Sequence, residues 1–361
     1  MFEKGKLSPL PQTSQEILSL FPNHDRFTYS LLTGTGNPDL ARKVGELLNN
    51  TYTYYDPVTR EVKTDTVMQA CQVWPDGESR IQIPLPVRRK EVIIFNSRSD
   101  HPNDQIIETG LIINAAKLAD AGIVSAAMPY FSYARQDRKA EPRTPNSSSF
   151  HARMLIWAGA KRLLTTDLHS EQTTGAVDEP FDIIYGSRVL LPRVRDLNLP
   201  NPVFLAPDNG STRRNRKHAE ILRVDRPTGY IDKERTSEGK TIAHALVGNV
   251  SGLDVIISDD EIASGGTNKK AALAAWDNGA TSVTVIATHA KFTPDENGRT
   301  FLDDLSEPNC PIGRVLVTDT IYQAPNVREH PKVEVLTIAP AYAIALMCWL
   351  TGESIKDHLE L

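Results

Sequence analysis

Two adjacent carboxylates, Asp259 and Asp260, stand just before the small-residue run Ala263-Ser264-Gly265-Gly266-Thr267. Glycines without a Cβ let successive backbone N–H groups converge on an anion, and a helix starting there aims the positive end of its dipole at the same point. Ser264 and Thr267 add hydroxyl donors. A ligand with a phosphate at one end and sugar hydroxyls beside it satisfies both halves: phosphate in the loop, hydroxyls on Asp259 and Asp260. A helix N-cap beside a surface acid pair is the competing reading. Position favours the site. The apolar run Val255-Ile256-Ile257 reads as a strand buried on both faces, which puts the acids at its end, where open α/β sheets bind ligands.

Five other stretches carry candidate chemistry. Arg135, Gln136, Asp137, Arg138 and Lys139 follow a strand that Pro129 ends. Guanidinium groups there would fork onto phosphate oxygens, unless the loop is simply solvated. His169, after Thr165-Thr166-Asp167, offers an imidazole able to ligate a metal or accept a proton, with a structural histidine as the alternative. Asp208, before Asn209-Gly210, suits Mg²⁺ directly or through water, or else a helix N-cap. Lys233 and Arg235 enter a polar segment of the kind that closes over a ligand, though loop cations without a role are common. Trp74, with Asp76 and Glu78 across a Pro-Asp-Gly turn, suits an adenine and its ribose or exocyclic amine, or staples an ordinary hairpin.

The elements that must position these residues alternate. Strands are predicted at 27–33, 92–95, 123–128, 163–166 and 183–184, with helices at 38–48, 106–121 and 151–159 between them. The pattern restarts with strands at 203–205, 229–232, 255–258, 283–287, 314–318 and 333–336, and a last helix at 341–350. Residues after 232 read as a polar segment without obvious structure, and 50–66 as a hairpin or loop. Such alternation implies α/β architecture with mainly parallel sheets flanked by helices. The expected division is an N-terminal extension 1–27, a first domain 28–185 completed by a C-terminal helix within 340–361, and a second domain 186–339. Gly34-x-Gly36 lacks the third glycine and partner acid of a dinucleotide site.

Composition excludes several classes. The chain has 361 residues, 40% hydrophobic and 24% charged, as in ordinary globular proteins. A net charge of −5 argues against a nucleic-acid binder. Cys71, Cys310 and Cys348 have no metal-ligand spacing and are odd in number, so reduced thiols in a cytoplasmic protein are expected. No apolar run is long enough to cross a membrane, and the N-terminus lacks an apolar signal core.

The acid pair and glycine loop resemble the sugar-phosphate loop of the phosphoribosyltransferase fold. With YARQDRK (133–139), DLHSEQ (167–172) and the D-K-x-R stretch (232–235) in order along the chain, the sequence from about Phe27 onward resembles the ribose-phosphate diphosphokinases, or phosphoribosyl pyrophosphate synthetases. YARQDRK has the form found in their phosphate-activated class. The resemblance implies two phosphoribosyltransferase-like domains with the active site between them, an adenine pocket completed by a neighbouring subunit, and a homodimer-based hexamer. It implies transfer of the β,γ-diphosphate of ATP to the C1 hydroxyl of ribose 5-phosphate with Mg²⁺. It places Trp74, Asp76, Glu78, Arg135 and Gln136 on ATP, and His169 and Asp208 at Mg²⁺. Lys233 and Arg235 fall in the catalytic loop, Asp259 and Asp260 at the ribose hydroxyls, and Ser264, Gly265, Gly266 and Thr267 around the 5-phosphate.

The sequence also departs from the family. Its phosphate loop commonly reads DDxxDTGGT; here Ala263 replaces the acid, Ser264 the threonine, and Glu261 stands where an apolar residue is usual. A small Ala263 leaves room for more than a terminal phosphate, which makes ADP-ribose the main alternative acceptor. Thr337 to Ala341 replaces the family's serine-bearing loop, which weakens any transfer of phosphate activation or ADP inhibition. A silent regulatory homologue is the third reading; such relatives tend to lose catalytic-loop or metal residues, all of which stand here.

Overall fold

The structure is a computed structural model describing residues 7, 9–21, 28–56, 61–235 and 241–359, the side chains of 55, 56, 61, 62, 233–235 and 241–244 excepted. Two sheets organise it. The first runs in the order Phe181–Ile184, Arg162–Thr166, Ile123–Met128, Glu91–Phe95, Tyr29–Thr33, Met68–Gln69, with every pair parallel. The second runs Thr241–Val247, Gly229–Arg235, Pro202–Ala206, Asp254–Ile262, Ser282–Ala290, Arg314–Thr318, Val333–Leu336. Its pairs are parallel except the first, an antiparallel ribbon. The α/β class is therefore as the alternating pattern implies.

Three expectations need correction. The strand bearing the acids does not end at Ser258 but runs from Asp254 to Ile262, with Asp259 opposite Ala287 and Glu261 opposite His289. Ladder bonds to the equally long Ser282–Ala290 override the poor strand preference of Asp and Glu. The segment after Asp232 is not structureless: the strand continues to Arg235 and returns as Thr241–Val247, while 236–240 lie outside the described residues. Part of the N-terminal extension is ordered as the helix Ser14–Ser19. Its Thr13 side chain accepts from Glu16 N at 3.2 Å, while Glu16 accepts from Thr13 N at 3.1 Å, a reciprocal capping box. Residues 50–66 do form a hairpin, Tyr52–Asp56 against Glu61–Asp65.

The helix Ala339–Thr351 is buried from Ala339 to Leu350. A helix apolar on every side must be covered all round. Leu31, Ile93 and Phe95 of the first sheet cover it, with Leu10, Ile17 and Phe21 of the N-terminal segment. Among the described residues no helix is long and apolar enough to cross a membrane.

Polar bonds stitch the two sheets together. Asn37 Nδ2 donates to the Asp319 carbonyl at 2.9 Å, and Lys43 Nζ lies 2.8 Å from Asp319 Oδ2. The buried His289 places Nε2 3.1 Å from the Thr166 carbonyl. These bonds close the seam along which the candidate site lies.

Candidate active site

The strand carrying the acids outlasts one of its neighbours. Pro202–Ala206 pairs with it only as far as Ile257, which leaves the backbone of Ser258 without a ladder partner on that side. The Asn215 side chain replaces the missing strand: Ser258 N donates to its Oδ1 at 3.2 Å, and its Nδ2 donates to the Ser258 carbonyl at 2.7 Å. Buried backbone groups must find such partners. The same helix, Thr212–Leu222, thereby brings Arg214 over the acids, its Nη1 3.4 Å from Asp260 Oδ1 and 3.9 Å from Asp259 Oδ1.

His169 comes from the first sheet, three residues beyond the end of Arg162–Thr166. Its Nδ1 lies 2.9 Å from Asp260 Oδ2. The imidazole is half exposed, beside a cavity of about 350 Å³ lined by Asp167, His169, Gly210, Arg213, Arg214 and Lys217. With Nδ1 engaged by a carboxylate, Nε2 is the nitrogen left for a metal or a proton.

The two acids titrate apart. Burial alone would raise Asp260, but the hydrogen bond from His169 and the charge of Arg214 outweigh it and hold its carboxyl well below the usual range. Burial, then the charge of Asp260, pushes Asp259 up. The hydrogen bond to Asp260 raises His169. The site thus sets a carboxylate that ionises early against an imidazole whose pKa it raises, next to an acid that parts with its proton late.

The loop beyond the strand meets a helix start. Gly265 has φ +77°, and a Cβ there would strike the Phe301 ring; at Gly266 the nearest atom to an added Cβ is Ser264 Oγ at 3.9 Å. The first of these glycines lets the chain turn, and the second leaves open space over the N-terminus of Gly266–Asp277, where no side chain caps the first turn. Ser264 and Thr267 flank this opening, half-buried. An anion fits such a start.

Arg135 crosses from the first sheet to pair with Glu261, whose Oε2 also lies 2.8 Å from Lys291 Nζ. Gln136 turns the other way and accepts from the Ser147 hydroxyl. Asp208 caps its own turn, its Oδ1 accepting from Ser211 N at 3.0 Å. Lys233 and Arg235 lie on the outer ribbon, opposite His244 and Thr241, and their side chains are outside the described ones. Trp74 is half exposed, with the Arg80 guanidinium 5.6 Å from its ring centroid; Glu78 N donates to Asp76 Oδ1 at 3.1 Å. That hairpin is tied within itself, and the structure shows no bond from it to the acids among the described residues.

Asp259, Asp260, His169 and Arg135 therefore converge, as the sequence reading requires. Arg214, Glu261 and Lys291 were missed. For Arg214 the one available signal was the basic helix after Pro207-Asp208-Asn209-Gly210.

Two α/β halves meeting over paired acids and a glycine loop define a protein of the two-domain phosphoribosyltransferase-like class. Residues 29–159 match the N-terminal domain of ribose phosphate pyrophosphokinase. The chain is 34% identical to the ribose-phosphate pyrophosphokinase of Wolinella succinogenes over 329 residues, covering 91% of this chain and 98% of that one. It is 35% identical to that of Pasteurella multocida, covering 90% and 97%. The crystal structure of phosphoribosylpyrophosphate synthetase from Mycobacterium smegmatis superposes with a TM-score of 0.78 at 27% identity, covering 90% of this chain and 99% of that one. The chain belongs to the ribose-phosphate pyrophosphokinase family and is an enzyme of that family.

Proposed function

We propose that this enzyme transfers the β,γ-diphosphate of ATP to the C1 hydroxyl of ribose 5-phosphate, giving phosphoribosyl pyrophosphate and AMP. The observation that carries this reading is the 2.9 Å bond between His169 of one half and Asp260 of the other, which joins a phosphate-side group to a sugar-side acid. The hydroxyl oxygen attacks the β-phosphorus, the bond to the α-phosphate oxygen breaks, AMP leaves with that electron pair, and the hydroxyl proton goes to solvent or a basic side chain. Such transfers need alignment and charge neutralisation more than covalent help.

In this reading Asp259 and Asp260 hold the ribose hydroxyls and Ser264 to Thr267 the 5-phosphate. Arg135 and Gln136 take the ATP phosphates, and Lys233 and Arg235 the charge on the moving group. His169 and Asp208 would hold Mg²⁺. Among the described residues no group of three or more His, Cys, Asp or Glu side chains could hold a metal, so the ion would take its remaining oxygens from the nucleotide and water, as Mg²⁺ commonly does. When bound it supplies charge neutralisation at the bridging phosphates. The half-exposed Trp74 hairpin, with Asp76 and Glu78, is taken to complete the adenine pocket of a neighbouring subunit, within a dimer-based hexamer. A cytoplasmic setting suits the free Cys71, Cys310 and Cys348. The domain boundaries in this reading are 28–185 and 186–339, with the last helix on the first half.

The test supplies ATP, Mg²⁺ and either ribose 5-phosphate or ADP-ribose, and follows AMP. Release with ribose 5-phosphate is expected. Turnover with ADP-ribose alone overturns the acceptor, and no AMP with either sugar, from folded protein, favours a regulatory homologue. Lys233→Ala should lower kcat by about 100-fold or more, as for loss of one transition-state donor, while ATP binding changes little.

A further inference from the structure

One acid on the ligand strand has no part in the reaction proposed above. Glu261 follows Asp260, and 8% of its side chain is exposed. A carboxylate so placed must be paired, and Glu261 has two cations. Lys291 is its fixed partner: Nζ lies 2.8 Å from Oε2 and 4.7 Å from the Tyr130 ring centroid, and 13% of its side chain is exposed. Arg135 is the loose partner. It reaches Oε1 from the other half of the molecule, and 53% of its side chain is exposed.

The Glu261 oxygen left by Lys291 offers the guanidinium a single anionic acceptor, much as one phosphate oxygen does. Glu261 therefore occupies Arg135 with the kind of group that a nucleotide brings. We propose, resting on the assignment of Arg135 to the ATP phosphates, that Glu261 is an internal competitor for Arg135: it holds the guanidinium in the empty enzyme and yields it to the triphosphate. Lys291 makes the exchange feasible, because the buried carboxylate keeps a counter-ion after Arg135 leaves. Glu261 thus sets how tightly the enzyme binds its nucleotide, and it has no assigned contact with the sugar or the reacting phosphorus.

Calorimetric titration with Mg-ATP reads this exchange without turnover. Glu261→Gln keeps an oxygen for Lys291 but removes the charge, and should bind ATP about threefold more tightly, the scale of a partly exposed ion pair. The KM for the sugar phosphate should stay unchanged. Lys291→Met leaves Glu261 to Arg135 alone and should weaken ATP binding; general damage to the fold would move both variants the same way. In an Arg135→Met background, Glu261→Gln should have no effect on ATP affinity. Unchanged or weaker binding by Glu261→Gln overturns the exchange, as does a gain that persists without Arg135. A wild type that binds ATP tightly but releases no AMP overturns the proposed reaction and leaves the exchange standing; absence of ATP binding in every variant overturns both.

Discussion

At Asp260 two cations outweigh burial, and one residue earlier, at Asp259, burial wins. The difference follows from reach: His169 bonds to Asp260, and Arg214 stands 0.5 Å nearer to it (3.4 Å against 3.9 Å). A raised carboxyl holds its proton longer in the folded chain than in the unfolded one. Stability is then lost, not gained, as pH rises from near 4 towards 8. Asp259→Asn cannot titrate, so its melting temperature should exceed that of the wild type at the upper end of this range and match it at the lower. The gap should be worth at least about 1 kcal/mol, the value of roughly one pKa unit. A gap that does not widen with pH would show that Asp259 ionises normally. In the reaction proposed above the same variant should lose turnover, since the amide replaces one of the two carboxylate oxygens by a donor.

The glycine loop shows how an element holds a ligand site. Gly265→Ala meets both a φ of +77° and the Phe301 ring, and should cost about 2–4 kcal/mol in a denaturant melt. Gly266→Ala meets open space and should melt no earlier than the wild type. In the reaction proposed above its methyl group would stand where the 5-phosphate approaches, so the KM for the sugar phosphate should rise several-fold. Equal stability losses would mean that the loop is shaped by something other than this turn. Much of this architecture was legible in the sequence. The runs 123–128, 314–318 and 333–336 are strands over those same residues; the first two lie inside their sheets and carry the near-continuous apolar signature of a strand buried on both faces. The outer end of the acid strand was not legible, because Asp259, Asp260 and Glu261 are held extended by Ala287 and His289, far along the chain. The N-terminal helix did leave a cue, the Thr13-x-x-Glu16 box, which the surrounding Pro and Ser residues masked. For Arg214 nothing local tells which of several basic side chains on one helix will face acids in another element.

At the scale of the whole molecule, the seam between the sheets is fixed on one side and suspended on the other. Asp319 takes Lys43 Nζ at 2.8 Å and Ile338 N at 2.8 Å, binding strand, helix and both halves at one buried point. The sheet order puts the acid strand in the interior, between Pro202–Ala206 and Ser282–Ala290, with both edges of Asp254–Ile257 paired. The opposite holds for the ribbon of Gly229–Arg235 and Thr241–Val247. It joins its sheet through Gly229 opposite Leu205 and Tyr230 opposite Ala206, and beyond those its ladder runs to its own return strand. Its amides should exchange with deuterium sooner than those of Val255–Ser258; equal protection would mean the ribbon is as firmly held as the centre. Lys233 and Arg235 ride on this ribbon; in the reaction proposed above its closing over substrate would pace turnover, and kcat should then fall in step with added viscogen, whereas a kcat indifferent to viscogen would mean that bond making sets the pace.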